Sequence, residues 1–297
     1  MTTIFSSVIP VACIVLMGFY AGKTLELDRP TISRVVLYVL SPALIADSLY
    51  RTTMSAENML GIFAGFLLTY LLLGLLAWGL GKKLGFSPPT QKSFMATSAC
   101  PNTANMGLSV NLFAFGDPGL ERAVVYFIAS SVVIFSTAPA FLKGGSFWSG
   151  VRFTLKLPLI WAVVVGWGLR FLGPELPLNL NMSLHLVAQA TVPIALLLLG
   201  IQISSSRFEL SPYEGGASLM RLIGGGLVAF LVGKTLGLTG LDLQVLVLQS
   251  SMPAAIISFL MVNEFGGDGP KTARVVVVST LFAFITLPAV LWAIADL

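Results

Sequence analysis

Apolar stretches of about twenty residues, joined by short polar connections, run through this chain from end to end. That is the length a helix needs to cross a bilayer. Ten such stretches are expected, near 3–22, 31–50, 59–81, 90–115, 120–141, 153–172, 183–203, 216–236, 239–265 and 270–294. The fold class expected is therefore an all-α membrane protein. Only 10% of residues are charged, against about 25% in soluble domains, and 56% are hydrophobic. The longest polar stretch, Lys143 to Arg152, is read as a loop and leaves no room for a soluble domain. The opening MTTIFSSVIP has no basic n-region, so it is read as a retained first span rather than a signal peptide.

Two of these stretches cannot be unbroken helices. In TSACPNTANMGLSVNLFAFG (97–116), Pro101 lacks a backbone N–H and clashes with the preceding turn. Asn102, Thr103 and Asn105 then compete for backbone hydrogen bonds, and Gly107 lowers helix propensity. In LQSSMPAAIISFLMVNEFGG (248–267), Pro253 follows Gln249, Ser250 and Ser251. Freed backbone groups survive at membrane depth only inside protein or against a water-filled cavity. Broken, amide-rich spans are therefore candidate binding sites, and their half-helix N-termini suit a carboxylate. A plain proline kink with carbonyls capped by local Ser, Thr and Asn is the alternative for the 97–116 segment taken alone.

The two breaks are related by an internal repeat. GLLAWGLGKKLGF (74–86) aligns with GLVAFLVGKTLGL (226–238) at an offset of 152 residues. Prolines recur at nearly the same spacing: Pro10/Pro158, Pro42/Pro193, Pro101/Pro253 and Pro139/Pro288, at 148, 151, 152 and 149. The repeats are 1–142 and 153–297. With five spans each, an odd number, the second copy enters the membrane upside down. Inverted repeats with broken helices at their interface are a feature of secondary transporters. Of the 17 Lys and Arg residues, 13 (Arg221 among them) fall in odd-numbered connections and adjoining helix ends. The positive-inside bias makes that face cytoplasmic and leaves both termini outside.

The net charge of +4 reflects this distribution and implies no nucleic-acid partner. Two cysteines and a single histidine give no disulfide framework, metal site or cofactor site, and neither an HExxH nor a GxSxG motif occurs. No enzyme is expected. Asp47 is the acid placed within a span. It is a possible coupling residue, with an i,i+4 pair to Arg51 as the structural alternative. Gln189 and Gln202 flank Pro193, and Gln189 is a candidate substrate contact, with interhelical bonding as the alternative. Asn111 is read as structural, His185 as interfacial, and Asp117, Glu121, Glu264 and Asp268 as caps or loop residues. The five Trp are read as interface anchors.

CPNTANMGLSVNLFAFGDPGLERAVV, SSMPAAIISFLMVNEFG, STLFAFITLP, ATVPIALLLLGIQIS and VLSPALIADSL together resemble the auxin efflux carrier family. That family includes plant auxin carriers and bacterial malate or malonate permeases. The resemblance implies ten helices in two inverted repeats, with broken crossover helices four and nine. It implies a homodimeric scaffold (3–50 plus 153–203) and a transport domain (59–141 plus 216–294) that slides across it elevator-fashion. It implies an organic anion at the crossover, where Pro101, Asn102 and Pro253 match the family's motifs and Asn102 would be the main carboxylate contact; the breaks' own polar residues Thr103, Asn105, Gln249 and Ser251, together with Gln189, complete the expected site. Ala254 stands where plant members carry a polar residue, Asn105 where they are apolar, and the long plant cytoplasmic loop is absent. A bacterial-type organic-acid permease of the inner membrane is therefore the expectation. The alternatives are a sodium-coupled carrier of the bile-acid type, whose cation sites would need acids near the crossovers, and a membrane sensor.

Overall fold

Proline and glycine decide where these helices start and bend. The computed structural model describes residues 2–143, 147–173, 176–206 and 208–297, so Arg207 and residues 144–146 of the polar stretch lie outside it. The described residues form helices, with α1 spanning Thr2–Thr24 and α2 spanning Arg29–Arg51 with a π turn at Val36–Leu40. Then come α3 (Ala56–Lys83), α4 (Pro88–Ala99) and α5 (Leu108–Lys143), which is entered through a π turn at Thr103–Gly107. The second half holds α6 (Phe147–Thr154), α7 (Pro158–Phe171), α8 (Leu180–Gln189) and α9 (Thr191–Ser204). It ends with α10 (Pro212–Thr235), α11 (Gly240–Ser250), α12 (Ile256–Glu264) and α13 (Gly269–Ala293).

Seven helical stretches among the described residues are long and apolar enough to cross a membrane. They are α1 from Ser7, α2, α3, Thr103–Thr137, Pro177–Ser204, α10 and α13. The expected spans 90–115, 153–172 and 239–265 are not single long helices. Pro101 and Pro253 divide two of them, and Pro158, at the first position of α7 where its missing N–H does no harm, sets the start of the third at 14 residues. Part of the polar stretch expected to be a loop is instead helical, as α6 packs back on α5. Gly116, with φ +66° and ψ −158°, bends α5 where the fourth and fifth spans were expected to part. Only glycine takes up that conformation without strain.

The sequence repeat produces a repeated helix end. At the end of α3, Gly85 N donates to the Lys82 carbonyl at 3.1 Å and Phe86 N to Gly81 at 3.0 Å. At the end of α10, Gly237 N donates to Lys234 at 3.1 Å and Leu238 N to Gly233 at 2.9 Å. Both glycines have positive φ, +69° and +73°. Lys82 lies over the Trp78 ring, 4.0 Å from its centroid, and Lys234 over Phe230 at 5.8 Å, again 152 residues apart.

Much of the helix packing falls into two sets, which are continuous because α1 also packs against α5 and α13. In the first, α1 crosses α9, and the second half of α2 lies against α7 and α8. Small residues let the α1 and α9 backbones touch: a β-carbon at Gly18 would overlap the Leu197 carbonyl oxygen, and one at Gly200 the Val15 carbonyl oxygen. Gly22 approaches Ser204 in the same way. Close approach through small residues is how membrane helices gain packing energy without a hydrophobic driving force. In the second group, α3 packs against α4, α5, α10 and α11, and α13 against α10, α4 and α12. The two breaks, after α4 and after α11, face each other inside this second group.

Candidate functional site

Each break leaves carbonyls that have lost their helical donors, and each supplies a partner for the other. Pro101 and Ala254 pair as a single antiparallel bridge. Asn102 N donates to the Pro253 carbonyl at 2.7 Å, and Ala255 N to the Cys100 carbonyl at 2.9 Å. Ala254 N donates to Ser279 Oγ at 3.1 Å. This satisfies buried backbone that has no water to fall back on. Side chains finish the job. Asn102 Oδ1 accepts from Asn105 N at 3.2 Å and caps the π turn, and Asn111 Nδ2 donates to the Gly107 carbonyl at 2.7 Å. Thr103 and Ser130 hydroxyls pair at 3.1 Å, tying the turn to α5.

A cavity of 690 Å³ reaches from these breaks to the start of α2 and the α9–α10 connection. Its inner end is formed by Pro101, Asn102, Thr103, Ala104 and Asn105 from one break, and by Ala255, Ile256 and Ile257 from the other. Its walls are mainly apolar, with Phe127, Leu198, Leu199 and Leu260 among them. At its mouth Arg29 donates to Ser205 Oγ, and Arg29 is the one charged residue among the described lining residues. No side chain caps α12, whose first residues line the cavity, so the orphan N–H groups of its first turn carry partial positive charge at the inner end.

Of the residues singled out from sequence, Pro101, Asn102, Thr103 and Asn105 line this cavity. The Pro253 carbonyl holds Asn102 N. Gln249 and Ser251 are buried behind the break, outside the lining: Gln249 Nε2 donates to the Ala123 carbonyl at 3.3 Å and Ser251 Oγ to Val247 at 2.8 Å. Gln189 is elsewhere. It bonds His185 at 2.9 Å, and His185 Nδ1 meets Asp47 Oδ2 at 2.8 Å. Arg51 Nε completes the group by donating to Asp47 Oδ1 at 2.9 Å. Asp47, 5% exposed, is thus gripped from two helices, and both its i,i+4 pair and an unforeseen histidine are present. Gln202, not Gln189, lines the cavity, as do Ser130 and Ser131 of α5. Asp268 caps α13, whereas Glu121 accepts from the Thr52 hydroxyl and from Thr53 N at 2.6 Å, tying α5 to the α2–α3 connection.

Arg221 is the largest departure from the sequence reading. Counted there with the connection charges, it is 1% exposed and lies within α10, in a π turn at Met220–Gly224. Its guanidinium donates from Nη1 to the Ser98 carbonyl and from Nη2 to the Ser250 carbonyl, one from each break. Removing it from the count leaves the basic bias of the odd connections in the same direction.

Comparison with known proteins agrees with a transport role. An uncharacterized transporter of Methanothermobacter thermautotrophicus is 26% identical over 97% of this chain and 97% of its own length. The uncharacterized transporter YfdV of Escherichia coli K12 is 24% identical over 98% and 97%. A protein of Rhizobium meliloti named "Putative malonate transporter" is 24% identical over 99% and 97%. The family and these relatives are transporters, not enzymes. The profile of the family described as membrane transport protein matches residues 3–142 and 150–291, and the chain belongs to that family, the auxin efflux carrier family its motifs resemble.

Proposed function

We propose that this protein is a secondary carrier that moves a small organic anion bearing a carboxylate across the inner membrane. The observation that carries this reading is the cavity. It ends at two helix breaks, its only charged lining residue among those described is a cation, and its inner end offers the Asn102 amide and the uncapped N-terminus of α12. Such an end can meet a carboxylate with dipoles and N–H groups without burying a second formal charge. The malonate named for the Rhizobium relative makes a dicarboxylate the first candidate.

The proposal extends to architecture. Four of ten spans are made of shorter pieces: α4 with the start of α5, α6 with α7, α8 with α9, and α11 with α12. The two halves are inverted repeats. The group around α1, α2 and α7 to α9 is the scaffold and the dimer surface, and the group holding the breaks is the moving domain. On the orientation favoured by the basic residues, both termini are outside and the cavity faces the cytoplasm. Asp47 is the proposed coupling residue. A sodium-coupled bile-acid-type mechanism would need acids at the breaks, whereas the formal charge bonded there is that of Arg221.

The test is thermal stabilisation of the purified protein by mono- and dicarboxylates and indole acids, with and without sodium. A ligand at a hundredfold excess over its dissociation constant stabilises by about 2.7 kcal/mol. We expect a sodium-independent shift with at least one acid. No shift with any of them would overturn the substrate class, and a shift that needs sodium would favour the symporter.

A further inference from the structure

Arg221 joins the two breaks at positions that the internal repeat makes equivalent. Ser98 and Ser250 are 152 residues apart, and each would normally offer its carbonyl to the N–H four residues on. For Ser98 that donor is Asn102 N, which is turned away to Pro253. For Ser250 it is Ala254 N, which is turned away to Ser279. Both carbonyls are therefore orphaned by the breaks, and Arg221 takes one with each terminal nitrogen. Its own repeat counterpart is Thr69, so this link is made from the second repeat alone.

Charge follows the same geometry. Each half-helix C-terminus carries about half a negative elementary charge, so α4 and α11 together present about one. A guanidinium, which stays protonated, cancels it. No ion pair to Arg221 occurs among the described residues, so the helix ends are its counter-charge. Space has been made for it: a β-carbon at Gly225 would overlap both Arg221 Nη2 and the Ser250 carbonyl oxygen. The Tyr126 and Ser250 hydroxyls pair at 2.8 Å beside this contact.

We propose that Arg221 is a positioning residue that locks the two breaks together and neutralises their negative helix ends, so that an anion meets only the positive ends. It lies outside the cavity lining. The anion half of this inference rests on the transport reading. The locking half does not.

Cys100, 4% exposed and adjacent to Pro101, reports on the lock. Because the chain has two cysteines, Cys13→Ser leaves it as the sole thiol. N-ethylmaleimide labelling of folded, monodisperse protein, read by intact mass, should leave Cys100 unmodified in that background. Arg221→Lys, which keeps the charge, should stay within about threefold of it, and Arg221→Gln should label at least about tenfold faster, as a local opening of the breaks. Gly225→Ala, which pushes the guanidinium off Ser250 without removing it, should also speed labelling, and it decides the matter if Arg221→Gln does not fold. Equal labelling in folded Gln, Lys and parent proteins would overturn the lock. So would unchanged labelling in Gly225→Ala where the Gln variant cannot be made.

The same variants read the charge half through carboxylate-induced stabilisation, which should survive in Arg221→Lys and vanish in Arg221→Gln. Survival in both would overturn it. If no carboxylate stabilises the parent while the labelling pattern holds, the transport reading fails and the lock stands.

Discussion

Asn102 does two things at once, and two substitutions separate them. Its Oδ1 caps the π turn by accepting from Asn105 N at 3.2 Å, and its amide lines the inner end of the cavity. Asn102→Ala removes both. Loss of a capping side chain costs about 1 kcal/mol, and loss of a hydrogen bond to a carboxylate about 1.5–3 kcal/mol. The Ala variant should therefore be slightly less stable and bind its acid about 10–150-fold more weakly. Asn102→Asp keeps an equivalent cap, so its unliganded melting midpoint should match the wild type. It also places a carboxylate against the substrate's own. At about 4 Å and an effective dielectric near 20, the repulsion is about 4 kcal/mol, or about a thousandfold in affinity. Melting midpoints without ligand and titration calorimetry with it read the two effects separately. An Asp variant that binds the acid as tightly as wild type would refute the placement of the carboxylate at Asn102.

Other perturbations probe the surroundings. Gly200→Leu forces a side chain into the α1 backbone, and overpacking of this kind costs about 1–3 kcal/mol; the melting midpoint should fall, with the change traceable to α1 and α9 by hydrogen exchange. Arg29→Ala removes the charge at the cavity mouth, so substrate association should slow at low ionic strength and approach wild type at high salt, as stopped-flow binding would reveal. Under the coupling role proposed for Asp47, Asp47→Asn should abolish uptake driven by a pH gradient while leaving exchange of internal for external acid intact. Loss of both would make its bonds to Arg51 and His185 structural instead.

The breaks were readable because the signal is local: Pro101 and Pro253, with amides and hydroxyls beside them, end α4 and α11, whereas Pro10 and Pro288 sit inside α1 and α13. The repeated helix ends at Gly85 and Gly237 were readable for the same reason. What a carbonyl or side chain meets across the fold was not. His185 lies 138 residues from Asp47, and no periodicity in either helix points one at the other. Glu121, read as a cap or loop residue, holds a connection from another part of the chain. Gln189 and Gln202 flank the same proline, and only packing decides that Gln202 reaches the cavity. Arg221 could have been placed from sequence. The alignment of Gly74 with Gly226 sets it opposite Thr69, in the middle of the expected span 59–81, where a charge is never incidental. Counting it as a connection charge missed that signal.

The central claim is that the cavity at the breaks carries an organic acid across the membrane. Uptake of radiolabelled malonate and other small carboxylates into proteoliposomes, compared between wild type and Asn102→Asp, tests it most directly. The account predicts saturable uptake of at least one acid by the wild type, unaffected by replacing sodium with a larger cation and absent from the Asp variant. Equal uptake by both proteins, or none of any acid by a folded wild type, would contradict it.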